Sequence, residues 1–141
     1  MAAYFADTSF WIALSSKRDQ YHSQAIAWHA AVVRSGNKIV TTEAVLWEWL
    51  NALAHASTQG VAAEGYRRVH ADRRVAVVPF DAELNDAAVD LYRSRADKDW
   101  SLTDCLSFVV MESRHLVEAL TTDHHVEQAG LKALMLSLPS F

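Results

Sequence analysis

Cysteine is nearly absent from this chain: Cys105 stands alone among 141 residues. One thiol can neither close a disulfide nor build a multi-cysteine zinc site. A disulfide-stapled secreted scaffold is therefore excluded, and a reducing compartment, the cytoplasm, is expected. Four glycines and two prolines are similarly few. No linker, low-complexity tract or fixed-period repeat divides the chain, so a single domain over residues 1–141 is expected. No apolar run approaches the roughly 18 to 20 residues of a membrane span, and Met1 to Asp7 lacks the basic flank and apolar stretch of a secretory signal. A basic excess is missing as well. The net charge of −4 argues against a protein that coats nucleic acid nonspecifically, yet it suits acids gathered around bound cations.

What the chain does have is apolar residues, 51% of the total, enough to bury a core without staples. They fall into short runs alternating with longer amphipathic ones, a βαβα pattern. Strands are expected at Tyr4–Ala6, Lys38–Thr41, Val75–Val78 (β-branched, expected buried on both faces), Ala119–Thr121 and Ala133–Leu136. Helices are expected from Asp7-Thr8-Ser9 onward, over about Tyr21 to Arg34, Glu43 to Ala56, Ala62 to Asp72, from Asp81, over Ser101 to Arg114, and briefly after Asp123. Gly60 is read as punctuation between two of them. Strands joined by helices need crossovers, which predicts an α/β fold: a central, mostly parallel five-stranded sheet with helices on both faces. In such sheets the ligand crevice lies beyond the carboxyl ends of the strands, at a switch point.

Acids stand at such places. Asp7 follows the first strand and Asp123 the fourth. Asp104 lies in a helix's first turn, and Glu48 borders the apolar face of the third helix. Magnesium and manganese take hard oxygen ligands, and carboxylates drawn from separate segments can hold one or two such ions for phosphoryl displacement. Each acid also has a plain structural reading. Asp7 and Asp123 fit helix N-caps, as does Asp81; Ser101-Leu102-Thr103-Asp104 fits a capping box; Glu48 fits a helix-surface acid.

Four stretches in order decide between these readings. Ala6-Asp7-Thr8-Ser9-Phe10-Trp11-Ile12-Ala13 resembles the opening motif of the PIN-domain family, especially the VapC-type toxins of bacterial toxin–antitoxin modules. Ser101-Leu102-Thr103-Asp104-Cys105-Leu106-Ser107-Phe108 resembles its central motif. Leu120-Thr121-Thr122-Asp123-His124-His125 resembles its closing motif. Thr41 to Glu48 resembles the segment carrying its glutamate. The resemblance spans nearly the whole chain. It implies a PIN fold, a Mg2+ or Mn2+ site, endonucleolytic cleavage of RNA, a small antitoxin partner and a homodimer. Carried over residue by residue, it implies Asp7, Glu48, Asp104 and Asp123 as catalytic, metal-binding acids. Thr8, Ser9 and Thr122 become candidates to orient carboxylates or contact phosphate. Glu48 is preferred to Glu43 because it follows Val45-Leu46-Trp47 as the family's glutamate does.

Two rivals are weaker. An aspartate-nucleophile phosphatase wants a second acid where Ser9 stands. A silent RNA-binding or assembly module of the same fold would keep the acids only as caps. The adjacent His124 and His125 should diverge on a helix, so they are expected to be solvated or to touch phosphate, not to share a zinc. Trp11 and Trp49 are expected in the core, while Trp28, Trp47 and Trp100 are candidates for stacking on bases or for an interface, Trp47 foremost. Arg67-Arg68 and Arg73-Arg74 read as RNA-steering charges or as a solvated helix end. Cys105 reads as a buried, inert thiol.

Overall fold

The structure is a computed structural model and describes residues 2–141. The elements run β1 (Ala3–Ala6), α1 (Thr8–Ser15), α2 (His22–Arg34), β2 (Lys38–Thr42), α3 (Glu43–Ala52), α4 (Gln59–Ala71), β3 (Val75–Val78), α5 (Ala82–Ser94), α6 (Leu102–Ser113), β4 (Glu118–Leu120), α7 (His124–Gln128) and β5 (Lys132–Ala133), closed by a 3-10 turn at Leu134–Leu136. The strand order is β3-β2-β1-β4-β5, and every pairing is parallel. Crossovers leave β1 first toward β2 and β3, then return past it to β4 and β5. Right-handed connections therefore place α1–α4 and α5–α7 on opposite faces. The reversal makes the gap between β1 and β4 the switch point of the sheet.

The core forms where these faces meet. Phe5, Phe10, Leu46, Met111, Leu120 and Met135 are fully buried. Trp11 stacks on Trp49 with ring centroids 5.8 Å apart and donates to Thr41 Oγ1 (3.3 Å), while Thr41 donates to the carbonyl of Ala6 (2.8 Å). That chain ties α1 to β2 and fixes the carboxyl end of β1, from which Asp7 emerges. The caps read from the sequence are present at Asp81, which accepts from the N–H of Leu84, and in a full capping box between Ser101 and Asp104.

Four expectations about the elements need correction. β3 is an edge strand with Ala76 exposed, not a strand buried on both faces; its β-branched residues reflect strand propensity instead of double burial. The fifth strand is only Lys132–Ala133, because Leu134 and Met135 are both buried. Alternation in a strand would turn one of them outward, whereas a 3-10 turn buries both. α3 stops at Ala52, and the hydroxyl of Thr58 takes the carbonyl of Leu53 (2.6 Å). Gly60 lies inside the first turn of α4, where it does not punctuate.

Trp28 and Trp100 are core residues and cannot stack on bases. Their indole N–H groups donate to Ser137 O (2.8 Å) and Gln128 Oε1 (3.0 Å). Trp47 is 58% exposed and meets Phe80 edge-on. Cys105 is fully buried as expected, and burial pushes its thiol pKa up.

Candidate metal centre

Parallel strands send all their carboxyl ends the same way. Asp7 leaves β1 and Asp123 follows β4 by three residues, so both arrive at the switch point, where the N–H of Asp7 still bonds the carbonyl of Leu120 (3.2 Å). The first turn of α6 brings Asp104 to the same spot. One carboxylate oxygen from each of the three lies within 4.8 Å of the others. The cap and ligand readings of these acids turn out to be compatible. Asp104 Oδ2 accepts from the N–H of Ser101 (3.0 Å) and Asp123 Oδ1 from that of His125 (2.9 Å), which leaves each a second oxygen. Asp7 occupies the N-cap position of α1, but its carboxylate does not cap the helix.

A hydroxyl relay holds Asp7 instead. Thr121 donates to Asp7 Oδ2 (3.0 Å). With its proton committed to the carboxylate, Thr121 Oγ1 accepts from the hydroxyl of Ser9 (3.0 Å) and the N–H of Asp123 (3.0 Å). Ser9 Oγ in turn accepts from the N–H of Thr122 (3.1 Å). Ser9 is thereby linked to the Asp7 carboxylate through Thr121. Thr122 enters only by its backbone. Thr121 was not legible as a site residue, because its bond to Asp7 joins positions 114 apart in sequence. His125 was expected to be solvated or to touch phosphate, and its Nδ1 lies 3.0 Å from Asp104 Oδ2 and 3.5 Å from Asp123 Oδ1.

The electrostatics of the cluster are unfavourable without a cation. Asp7 is only 6% exposed. Burial pushes its pKa up to about 6, and the charges of Asp104 and Asp123 add to the rise, while the N–H of Thr8 and the hydroxyl of Thr121 oppose it. A divalent cation would offset this crowding of negative charge. The donors are all carboxylate oxygens, which fits magnesium or manganese. Beside Asp7, Thr8 Oγ1 is buried with no hydrogen-bond partner, a polar atom left over by the protein's own contacts.

The fourth acid stands apart. Glu48 is exposed on α3 and is not among the acids whose oxygens gather at the centre. It lines a groove of about 400 Å³ together with Trp47, Asn51, Phe80, Leu102 and Thr103, the last being the neighbour of Asp104. Glu43 is engaged elsewhere: it accepts from the Tyr66 hydroxyl (2.9 Å) and pairs with His70 (2.7 Å). The arginines do not adjoin the centre through the sheet. Arg73 and Arg74 precede β3 and so sit at the opposite, amino edge, and Arg74 forks onto Asp72. Arg67 and Arg68 pair with Glu64. Their placement favours the solvated reading.

The family model described as PIN domain matches residues 4–131, and the chain belongs to that family. Among solved structures it is similar to VapC20 of Mycobacterium tuberculosis, a toxin that cleaves the sarcin–ricin loop. That match has 25% sequence identity and a TM-score of 0.82, and covers 91% of this chain and 95% of that one. It is similar in fold to VapBC2 of Rickettsia felis bound to a DNA fragment from its promoter, at 11% identity and a TM-score of 0.68, covering 93% and 96%. The chain is thus a PIN domain whose fold is similar to that of VapC20. No curated protein sequence matches the chain significantly. Among the described residues, no helix is long and apolar enough to cross a membrane.

Proposed function

We propose that the protein is a metal-dependent endoribonuclease and the toxin of a toxin–antitoxin pair, working in the cytoplasm as a single PIN domain over residues 1–141. The observation that carries the reading is the convergence of Asp7, Asp104 and Asp123 within ligand reach at the switch point of the sheet. When bound, Mg2+ or Mn2+ supplies Lewis-acid polarisation of the phosphate and lowers the pKa of water at the scissile bond. The chain's own residues do the rest. Asp104 and Asp123 each have one oxygen fixed by backbone donors, so the other is held for ligation. Asp7 is oriented by the Ser9–Thr121 relay and kept from water by burial. Glu48 is retained as the fourth acid, on the groove side beside Thr103. The buried Thr8 hydroxyl, which has no hydrogen-bond partner of its own beside Asp7, supports a role for Thr8 in orienting the carboxylates of the centre.

The likeness to VapC20 makes a sarcin–ricin-type RNA stem-loop the first substrate to test. A small antitoxin and a second copy of the chain are the proposed protein partners. The exposed Trp47, Phe80, Val89 and Leu102 around the groove support a covered face there, to be checked by sedimentation. The test of activity is incubation of purified protein with that stem-loop in Mg2+, in Mn2+ and in chelator, beside Asp104→Asn and Asp123→Asn. Cleavage in metal, none in chelator and a loss of roughly 100-fold or more in either variant is the expected result. Metal-independent cutting, or undiminished cutting by both variants, would overturn it. A folded protein that binds metal but cuts no RNA would point to the silent binding module.

A further inference from the structure

His124 and His125 are consecutive, and consecutive side chains on a regular helix diverge. Here they converge. They open α7 directly after Asp123, whose backbone is extended, and their ring centroids lie 4.5 Å apart. Both Nδ1 atoms lie near Asp123 Oδ1, at 3.7 Å for His124 and 3.5 Å for His125, and that of His125 also hydrogen-bonds Asp104 Oδ2 at 3.0 Å. One ligand atom from each of the three residues lies within 4.8 Å of the other two. A tetrahedral zinc with bonds of roughly 2.0–2.2 Å holds neighbouring donors about 3.4 Å apart. The two nitrogen–oxygen separations exceed that edge by only a few tenths of an ångström, so small side-chain movements bring both nitrogens to the distance that a shared cation at that oxygen needs.

We propose that Asp123, His124 and His125 form a second cation site of mixed nitrogen and oxygen donors, which takes a zinc-class transition metal and shares Asp123 with the three-aspartate centre. Imidazole nitrogen favours zinc, cobalt, nickel and copper over magnesium, so the two sites differ in the metal they prefer. Three protein donors leave one position open, and the His124 side chain, 72% exposed, gives a metal and its water access from solvent. Asp104 Oδ2 hydrogen-bonds His125 Nδ1 at 3.0 Å in the metal-free protein, and ligation through Nδ1 replaces that bond and its proton. Asp123 faces the histidines with Oδ1, the oxygen that also accepts the N–H of His125, which leaves its other oxygen for the aspartate centre. The site stands whether or not the aspartate centre cleaves RNA.

Cobalt(II) is the probe, because nitrogen ligation in a low-coordinate site gives it a visible absorption band. The metal-free full-length protein is titrated with Co2+, then with Zn2+. The expected result is a band at stoichiometric cobalt that zinc abolishes. His124→Ala and His125→Ala, each shown to be folded by circular dichroism, should lose the band and bind zinc roughly 10-fold or more weakly. Asp7→Asn should keep it. No cobalt or zinc binding by the folded wild type overturns the proposal. So does a band unchanged in both histidine variants, or one lost only in Asp7→Asn. RNA cleavage in Mg2+ is scored separately: a histidine-dependent band without any cleavage leaves this site standing while the nuclease reading fails.

Discussion

Asp7 carries the most consequential charge in the molecule. Its carboxyl titrates near 3.8 in an unfolded chain and near 6 when folded, so between those values the folded state holds a proton that the unfolded state has lost. Stability from this group is therefore greatest below pH 3.8, falls as pH rises, and levels off above about pH 6. The difference is about 3 kcal/mol. In chelator, Asp7→Asn should thus be more stable than wild type at pH 7, and the gap should close as pH falls toward 4. Denaturation curves of the two proteins at several pH values check this, since the carboxylates away from Asp7 titrate in both and cancel. Added Mg2+ or Mn2+ should stabilise the wild type and leave the variant unmoved. Thr121 supports this aspartate with its only proton. Thr121→Val should cost about 1–3 kcal/mol and reduce cleavage, whereas Thr121→Ser should restore both. A Val variant as stable and active as wild type would remove the relay from the account.

At the scale of elements, the helices were easier to read than the sheet's margins. Asp81 and the Ser101–Asp104 box announce α5 and α6 by local chemistry, and both caps are present. Asp81→Ala should lower stability by about 1 kcal/mol, measurable as a shift in the urea midpoint. The position of β3 at the edge and the two-residue length of β5 were not legible, because both depend on which neighbours the topology supplies and not on the strands' own residues. Asp7, Asp104 and Asp123 stood out as candidates because each obeys a local rule of strand ends or helix starts, while the choice of ligand over cap came from the resemblance and not from those rules. Thr121 and His125 did not stand out, because their partners come from other elements. Gly65 shows the same dependence. A Cβ added there would stand 2.8 Å from Trp49 Cη2, and Trp49 cannot yield: it is buried, stacked on Trp11 and bonded through Nε1 to Ser15 (3.0 Å). Gly65→Ala gains helix propensity of about 1 kcal/mol, but overpacking of about 1–3 kcal/mol opposes it. A net loss of thermal stability is expected, and a rise would show that the indole can move.

The whole molecule is electrically lopsided because every strand runs the same way. The carboxyl edge of the sheet collects Asp7 and Asp123, while the amino edge begins with Lys38, Arg73-Arg74 and Lys132 against the two acids Asp72 and Glu118. The net charge of −4 thus conceals an acidic end built to receive cations, and the fold's topology is what assembles it. The measurement that tests this most directly is cleavage of the RNA stem-loop and Mn2+ binding, followed in the same samples of wild type and Asp7→Asn at pH 7. Asn keeps the shape of the side chain and removes its charge. The account predicts that cleavage and binding both vanish in the variant and that neither is seen in chelator. An Asp7→Asn protein that still cuts RNA as the wild type does would contradict it.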